Sequence, residues 1–322
     1  MSKIITVIGA TGIQGGSVIR ALLNAPNSSY TIRATTRNPS SDAAKALASQ
    51  GVKVVKADLH DVDSLIAAFT GTHAIFAVTN FFENLASIGI EKSMESETEQ
   101  GINLAKAASM TETLDHYIWS TLPDSKANTG GKFFVPYFES KNAVDRYIRS
   151  DLPDLAAKTT FAWFGWYASN ILNPVFRPSR IHTADGSESY ITLLNIPPET
   201  KFPLLGEANV NVGLYAMAIL EQAEKTLPRK FVSGVVECRG VGDVVASFAA
   251  AKGIQVRAVQ ISREDYRALW PGMGELMDIT HYYLEVTGER AFSDVDEEVL
   301  TGDDLGVQGL VSVDEAFKRL PS

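Results

Sequence analysis

The sequence predicts an α/β fold in which helices cover both faces of a doubly wound parallel sheet. Short β-prone apolar runs alternate with amphipathic helical patterns six times over the first half of the chain. The connections between them are short, which suits right-handed crossovers between parallel strands. A glycine-rich turn, GATGIQGG, joins the first run to the first helical pattern. Together these observations indicate a Rossmann-type sheet.

The strands are predicted from runs rich in β-branched and aromatic residues, and the helices from apolar side chains at helical spacing. The predicted strands are residues 4–8, 31–35, 52–55, 74–79, 117–120 and 160–164. The predicted helices are residues 16–24, 43–50, 61–69, 94–109 and 137–150. Ala25-Pro26, Gly51 and Gly71 end the first three helices, and Ser41 or Asp42 caps the second.

The second half of the chain has a looser pattern that is punctuated by prolines. We predict one amphipathic helix over residues 211–225 and a strand over 256–261, after which Ser262-x-x-Asp265 begins a helix. The chain therefore divides into a Rossmann domain over residues 1–165 and a smaller C-terminal lobe over 166–322. We expect this lobe to serve a substrate or an interaction and to return some elements to the core sheet.

Composition excludes several classes of function. The net charge of −9 argues against direct contact with nucleic acid, which needs clustered Lys and Arg. No apolar run reaches the roughly 20 residues that cross a bilayer, and the N-terminus lacks the pattern of a signal peptide. A single cysteine excludes an internal disulfide, and the five histidines lack metal-ligand spacing, so no metal is expected. We expect a cytoplasmic protein.

The glycine-rich turn predicts a dinucleotide site. Gly9 would permit the tight turn, Gly12 would let a pyrophosphate approach the backbone, and Gly15 would let the helix pack on the sheet. Thr11, Ile13 and Gln14 complete the loop, whose amides would meet the anion at a helix N-terminus. The alternative is that the glycines serve only the turn.

The end of the second strand indicates which dinucleotide binds. An NAD site usually has Asp or Glu about 20 residues after the glycines, whereas an NADP site offers Arg to the 2′-phosphate. Here the strand continues as RATTR, and no acidic residue precedes Asp42. NADP(H) is therefore the expected cofactor, with Arg37 on the 2′-phosphate and Arg33 as a surface cation. The alternative for Arg37 is a solvated loop charge.

A tyrosine and a lysine four residues apart form a candidate catalytic pair. Tyr137 and Lys141 share one face of a predicted helix, where a cation lowers the pKa of a phenol from its usual value of about 10. Such a tyrosine can give a proton to a carbonyl oxygen while hydride reaches the carbon. Ser120 or Thr121, at the end of the fifth strand, would hydrogen-bond the same oxygen. Alternatively, Tyr137 is an aromatic residue at the pocket mouth.

An aromatic run just past the sixth strand, FAWFGWYASN, predicts the wall of a substrate pocket, because doubly wound sheets bind ligands at their carboxyl ends. The residues that we assign to this wall are Phe164, Trp166, Tyr167 and Asn170. Their alternative role is ordinary core packing. A substrate that meets them would be largely apolar.

Motifs along almost the whole chain resemble the NmrA-like group of the short-chain dehydrogenase/reductase superfamily. They include GATGIQGG, TRNP, VVKADLHD, IFAVTNFFE, ESETEQG, HYIWST and ISREDYRALWPGMGELMDITHYYLE. The resemblance implies that Asp58 and Leu59 border the adenine. It also implies that Thr79, Asn80 and Phe81 line the nicotinamide end and that Lys141 binds the cofactor ribose.

The resemblance leaves enzyme and sensor functions open. Many NmrA-like proteins replace the tyrosine and act as NADP(H) sensors that contact transcription regulators, whereas this chain keeps Tyr137. The first hypothesis is an NADPH-dependent reductase of a carbonyl, imine or enone, with Tyr137 as acid and Lys141 as its modifier. The second is an NADP(H)-binding regulator with a protein partner. The third is a relative that has lost the cofactor. A homodimer is compatible with each hypothesis.

Overall fold

The computed structural model describes residues 3–25, 29–184 and 188–321. Within these residues the chain forms fourteen strands: β1 (Lys3–Val7), β2 (Tyr30–Thr36), β3 (Lys53–Lys56), β4 (Ala74–Ala77), β5 (His116–Thr121), β6 (Thr159–Phe164), β7 (Trp166–Tyr167), β8 (Ser179–His182), β9 (Glu188–Leu194), β10 (Lys201–Gly206), β11 (Phe231–Gly234), β12 (Glu237–Gly240), β13 (Val256–Gln260) and β14 (Val299–Leu300). Eight of them are parallel and form the central sheet, in the order β14-β11-β6-β5-β4-β1-β2-β3.

Helices cover both faces of the sheet, as the predicted fold class requires. They are α1 (Ile13–Asn24), α2 (Asp42–Ser49), α3 (Val62–Phe69), α4 (Leu85–Ser109), α5 (Pro136–Asp151), α6 (Pro153–Ala156), α7 (Ala208–Glu221), α8 (Ala223–Thr226), α9 (Val241–Lys252), α10 (Arg263–Leu269), α11 (Met273–Thr287) and α12 (Val313–Arg319). The prediction of a Rossmann-type doubly wound sheet with a smaller C-terminal region is confirmed.

The six predicted strands all form and end within two residues of their predicted bounds. Helix α1 begins three residues earlier than predicted, because Gly12 is its N-cap and the second half of the glycine-rich turn is its first turn. Ser41 caps α2 by accepting a hydrogen bond from the Ala44 amide at 3.2 Å. Pro26, which was expected to follow the end of α1, lies outside the described residues.

Two predicted helices differ from the structure. Helix α4 starts at Leu85 rather than near residue 94, and Gly89, at φ 78°, breaks it into two helical pieces. The helix predicted over residues 211–225 ends at Glu221, and a separate turn, α8, follows Gln222. The prediction thus left out residues 85–93 of α4 and ran past Gln222, where the backbone leaves the helical conformation.

Arg33 is buried, so the prediction of a surface cation was wrong. Its Nη1 donates to the carbonyls of Ala68 at 2.7 Å and Thr70 at 2.9 Å, and to Thr72 Oγ1 at 3.1 Å. The last carbonyls of a helix have no partner within it, and a cation there also interacts favourably with the helix dipole. Arg33 therefore completes the C-terminus of α3.

The second half of the chain contributes to the main sheet and builds two smaller sheets. Strands β11 and β14 extend the main sheet beyond β6. Within the described residues, β12-β10-β7 and β13-β9-β8 form separate three-stranded sheets. Helix α7 packs on α1, where Ser17 Oγ accepts a hydrogen bond from the Gly213 amide at 2.8 Å. The predicted strand β13 and the Ser262 cap of α10 are both present. The division at residue 165 stays a prediction.

Across the described ranges, none of the helices is long and apolar enough to span a membrane.

Candidate cofactor and substrate site

A cavity of about 780 Å³ opens at the carboxyl ends of the parallel strands. Its floor comes from the segments that follow β1 to β6, and its far wall comes from α5, α11 and the residues around β10. All the residues that the sequence predicted for a site line it: Gly9, Thr11, Gly12, Ile13, Gln14, Gly15, Arg37, Asp58, Leu59, Thr79, Asn80, Phe81, Ser120, Thr121, Tyr137, Lys141, Phe164, Trp166, Tyr167 and Asn170. The cavity therefore joins the predicted cofactor and substrate residues in one space.

The glycine-rich turn has the close packing that an anion cradle needs. Gly9 has φ +63°, and a Cβ on Gly15 would lie 2.4 Å from the Gly9 carbonyl oxygen and 2.7 Å from that of Ile8. Gly12 caps α1 without a side-chain hydrogen bond, and the first turn of α1 carries no acidic residue. The first amides of a helix have no partner within it, so they can receive a phosphate. The loop fits a dinucleotide diphosphate.

Arg37 lies at the rim of the cavity and pairs with Glu83. Its Nη2 donates to Glu83 Oε1, and the arginine side chain is 65% exposed. Glu83 belongs to the segment after β4, so the ion pair joins the ends of two strands. A 2′-phosphate at this position would compete with the Glu83 carboxylate for the guanidinium, which binds phosphate and carboxylate in similar geometry.

Lys141 is held in a buried network rather than beside Tyr137. Its Nζ donates to Thr79 Oγ1 and to Glu97 Oε1, both at 2.9 Å. Thr79 Oγ1 donates to the same Glu97 oxygen at 2.8 Å, and Ser140 Oγ donates to Oε2. The Glu97 side chain is only 2% exposed. This network fixes the ammonium at the cavity wall and balances its charge.

The pKa of Tyr137 is raised to about 12, and burial is the main cause. A hydrogen bond with Thr280 on α11 opposes that effect, and nearby Tyr283 adds to it. The expectation that Lys141 lowers this pKa was wrong, because the ammonium is turned toward Thr79 and Glu97. The phenol remains protonated at neutral pH and can act only as a proton donor there. Its ring packs against Phe82 at 5.4 Å between centroids.

Ser120 and Thr121, the two candidates to hydrogen-bond a substrate oxygen, differ in the partners that their hydroxyls already have. Thr121 Oγ1 donates to Asp145 Oδ2 at 2.8 Å, so its proton is committed. Trp119 Nε1 donates to the other oxygen of the same carboxylate at 2.7 Å. Burial raises the pKa of Asp145 to about 7, against hydrogen bonds from Thr121, Trp119 and Asn142. Ser120 is therefore the better candidate for a hydrogen bond to a substrate oxygen.

The aromatic wall is tied to the glycine-rich turn. Gln14 Nε2 donates to the Tyr167 hydroxyl at 2.6 Å, which links the first turn of α1 to the segment after β6. Phe164 is 5% exposed and packs edge-on against Tyr215 in the core, so it serves the core as well as the cavity. Trp166 packs on Phe176 and Phe202.

Sequence reasoning missed the acidic and C-terminal parts of the site. Glu97 lies on a helix whose acidic run resembles a solvated face. The far wall comes from residues remote in the sequence, which share only their position in the fold: Phe176, Phe202, Met273, Met277, Thr280, His281 and Leu284. The motif MDITHYYLE contains four of these residues, but only the fold brings them to Tyr137.

The fold and the cavity define a Rossmann-type α/β protein. More particularly, the chain belongs to the NmrA-like family, whose model matches residues 1–304. The NmrA-like family domain-containing oxidoreductase FrzB of Cladobotryum sp is 29% identical over 315 residues, which are 95% of this chain and 90% of that protein. The oxidoreductase hkm9 of Aspergillus hancockii, also named as containing this domain, is 33% identical over 171 residues, only 53% of this chain and 48% of that protein.

Solved structures share the fold at low sequence identity. NmrA, a negative transcriptional regulator solved in complex with NADP, has a TM-score of 0.75 and 22% identity, over 99% of this chain and 96% of that chain. The NADPH-dependent quinone oxidoreductase QOR2 of Escherichia coli, solved with NADPH, has a TM-score of 0.68 and 18% identity, over 98% of this chain and 99% of that chain.

Proposed function

We propose that this protein is an NADPH-dependent oxidoreductase that reduces a carbonyl, imine or enone of a small, largely apolar organic molecule. The observation that carries the proposal is one cavity lined by an anion cradle, a cation at its rim, a protonated phenol and an aromatic wall. The family membership and the oxidoreductase names of relatives such as FrzB agree with it. Phosphate-binding and proton-donating groups would thus serve one bound pair of cofactor and substrate.

The chain's own residues suit NADP(H). The amides of the first turn of α1 would hold the diphosphate, and Arg37 would leave Glu83 to bind the 2′-phosphate. Lys141 would bind the nicotinamide-side ribose from its fixed place beside Thr79, and Glu97 would hold it there. Asp58 and Leu59 would border the adenine, with Asn80 and Phe81 near the nicotinamide. The bound cofactor would supply the hydride.

The substrate half of the cavity would orient the acceptor group and exclude water. Tyr137 would give its proton to the substrate oxygen or nitrogen as negative charge develops there. Ser120 would donate a hydrogen bond to the same atom. Trp166, Tyr167 and Asn170 would hold the apolar body of the substrate. We propose that the protein acts in the cytoplasm.

A second candidate function is an NADP(H)-binding regulator. It is favoured by the Arg37–Glu83 ion pair, because a 2′-phosphate that takes Arg37 from Glu83 would release the segment after β4. The cofactor would then alter a surface segment that a protein partner, or a second copy of the chain, could contact. This candidate requires cofactor binding but no reduction of any substrate.

Turnover distinguishes the two candidates. The purified chain is incubated with NADPH and a panel that contains a quinone, an aromatic aldehyde, a cyclic imine and a cyclic enone, and NADPH absorbance is followed. The reductase proposal predicts substrate-dependent loss of NADPH and a reduced product in at least one case. Tight NADPH binding with no consumption across the panel would favour the regulator.

A further inference from the structure

His281 is a buried histidine on the far wall of the cavity. It lies on α11 next to Thr280, which acts on the pKa of Tyr137, and is 3% exposed. Its ring packs against Phe176 and Phe202, with centroids 5.3 and 5.5 Å away. The surroundings of the imidazole are therefore apolar, although it lines the same cavity as the candidate proton donor.

A chain of hydrogen bonds begins at Asp278, one turn before His281 on α11. Asp278 accepts from Arg263 Nε at 2.7 Å, Arg263 Nη2 at 3.0 Å and Arg267 Nε at 2.6 Å. Burial opposes ionisation, but hydrogen bonds from Arg263, Asn195 and Arg267 hold the pKa of Asp278 below its usual value. Asp278 is thus a carboxylate, which only accepts hydrogen bonds.

The carboxylate fixes the proton position on His281 through Asn195. Asn195 Nδ2 donates to Asp278 Oδ1 at 2.8 Å, so its Oδ1 must face the other way. That oxygen lies 2.7 Å from His281 Nδ1 and can only accept. Nδ1 therefore carries the proton, and Nε2 is left with a lone pair. Burial, which the charge of Asp278 only partly offsets, lowers the pKa of His281 to about 3 and keeps the imidazole neutral.

The Nε2 atom is an acceptor without a donor. Across the described part of the chain, it is buried and has no hydrogen-bond partner. A buried polar atom without a partner destabilises a fold. Here the hydrogen bonds of Asp278 and Asn195 hold the atom in that state, on a residue that lines the cavity.

Trp166 has a second buried polar atom of this kind, which is a donor rather than an acceptor. Its Nε1 is a buried donor that likewise lacks a partner among the residues described. Its ring packs on the same Phe176 and Phe202, at 5.7 and 6.3 Å. Two residues that line the same cavity and pack on the same aromatic pair therefore carry a buried acceptor and a buried donor, neither with a partner among the described residues.

We infer that His281 is a specificity-determining residue whose Nε2 accepts a hydrogen bond from an N–H or O–H group of the substrate. Trp166 Nε1 donates to an oxygen of the same molecule. This inference rests on the proposed function and narrows its substrate to neutral, ring-containing molecules that carry, besides the group to be reduced, both a donor and a carbonyl-type acceptor. A lactam is the simplest probe of these two hydrogen bonds. A site built to pair with a polar group rejects an analogue that lacks it.

Matched lactams test the inference without turnover. Oxindole, N-methyloxindole and a carbon-methylated oxindole that keeps its N–H are titrated calorimetrically into the chain saturated with NADP⁺. The first and third should bind at least about tenfold more tightly than the second, because N-methylation removes the donor. His281→Leu should bind all three alike, whereas the exposed His182→Leu should behave like the wild type.

The wild-type comparison decides the matter even if His281→Leu does not fold. Equal affinity of the wild type for oxindole and its N-methyl derivative, or no binding of oxindole at millimolar concentration, would overturn the inference. Trp166→Phe should weaken oxindole but not indoline, which has the N–H and lacks the carbonyl. If the chain prefers ligands with an N–H but consumes no NADPH, the inference is supported and the reductase proposal is refuted. If the chain turns over a substrate but shows no N–H preference, the reductase proposal is supported and the inference is overturned.

Discussion

Lys141 Nζ donates a hydrogen bond to Glu97 Oε1 at 2.9 Å, and both side chains are buried at the cavity wall. Two opposite charges in this position stabilise the fold only as a pair, because a single buried charge without its partner is strongly unfavourable. Under the proposed function, Glu97 would hold this cation in place for the ribose of the cofactor. It also explains why the lysine does not act on Tyr137.

Glu97→Gln should lower the free energy of unfolding by about 3 kcal/mol, since it keeps the shape but leaves the Lys141 charge uncompensated. Urea unfolding of the cofactor-free protein at neutral pH measures this. Glu99→Gln is the matched control, because Glu99 is exposed beside His60 and its loss should change stability by less than about 0.5 kcal/mol. Equal losses of unfolding free energy in the two variants would show that the Lys141–Glu97 pair does not stabilise the fold.

Gly15→Ala should abolish NADPH binding, because its Cβ would lie 2.4 Å from the Gly9 carbonyl oxygen and the loop would have to move. Gly16→Ala is the control one residue along, where the nearest atom is the end of the Arg20 side chain at 3.2 Å. That substitution should keep binding and stabilise α1 by up to about 1 kcal/mol. Calorimetry and thermal unfolding measure both. Unchanged binding in Gly15→Ala would contradict the cradle.

Tyr137→Phe should lower kcat at least about tenfold while NADPH affinity stays the same, because only the transferred proton is removed. Steady-state kinetics on whichever panel compound is reduced measures this. Tyr282→Phe changes an exposed tyrosine on α11 and should leave kcat unchanged. Wild-type turnover in Tyr137→Phe would refute the assignment of the proton donor.

The buried Asp145 should make stability fall with rising pH. Its pKa is about 7 in the folded chain and 3.8 is the ordinary value of such a carboxyl, so folding takes up a proton between these values. The contribution of this group is full below about pH 4 and is lost as the pH rises through 7, by at most about 4 kcal/mol. Asp145→Asn should remove this part of the decline. Urea unfolding across that range measures it, and parallel curves for the two proteins would contradict it.

The sheet and the cofactor half of the site were predictable because local patterns define them. The prediction of an NADP(H) site depends only on positions along the chain. These are the glycines between β1 and α1 and the arginine after β2, which has no acidic neighbour. Arg33 was misjudged because alternation within a strand does not reveal that a helix terminus lies above it. Residues 85–93 of α4 were not predicted as helix, because Gly89 is a weak helix former and interrupts this segment before residue 94.

The substrate half could not be predicted from spacing. Tyr137 and Lys141 share a helix face. Only the fold shows that Lys141 hydrogen-bonds Thr79 and Glu97, whereas Tyr137 lies beside Thr280. His281 had no ligand spacing and was set aside, because its meaning depends on Asn195, which lies 86 residues away. Tertiary partners, which no local pattern encodes, determine what these side chains can do.

Calorimetric titration of the wild type and of Arg37→Ala with NADPH and NADH tests the central claim most directly, with Lys53→Ala, an exposed lysine on β3, as the control. The wild type and the control should bind NADPH at least about tenfold more tightly than NADH, because Arg37 pairs with the additional phosphate. Arg37→Ala should lose this preference and keep its NADH affinity. The absence of heat with either nucleotide at millimolar concentration would contradict the account at its first step.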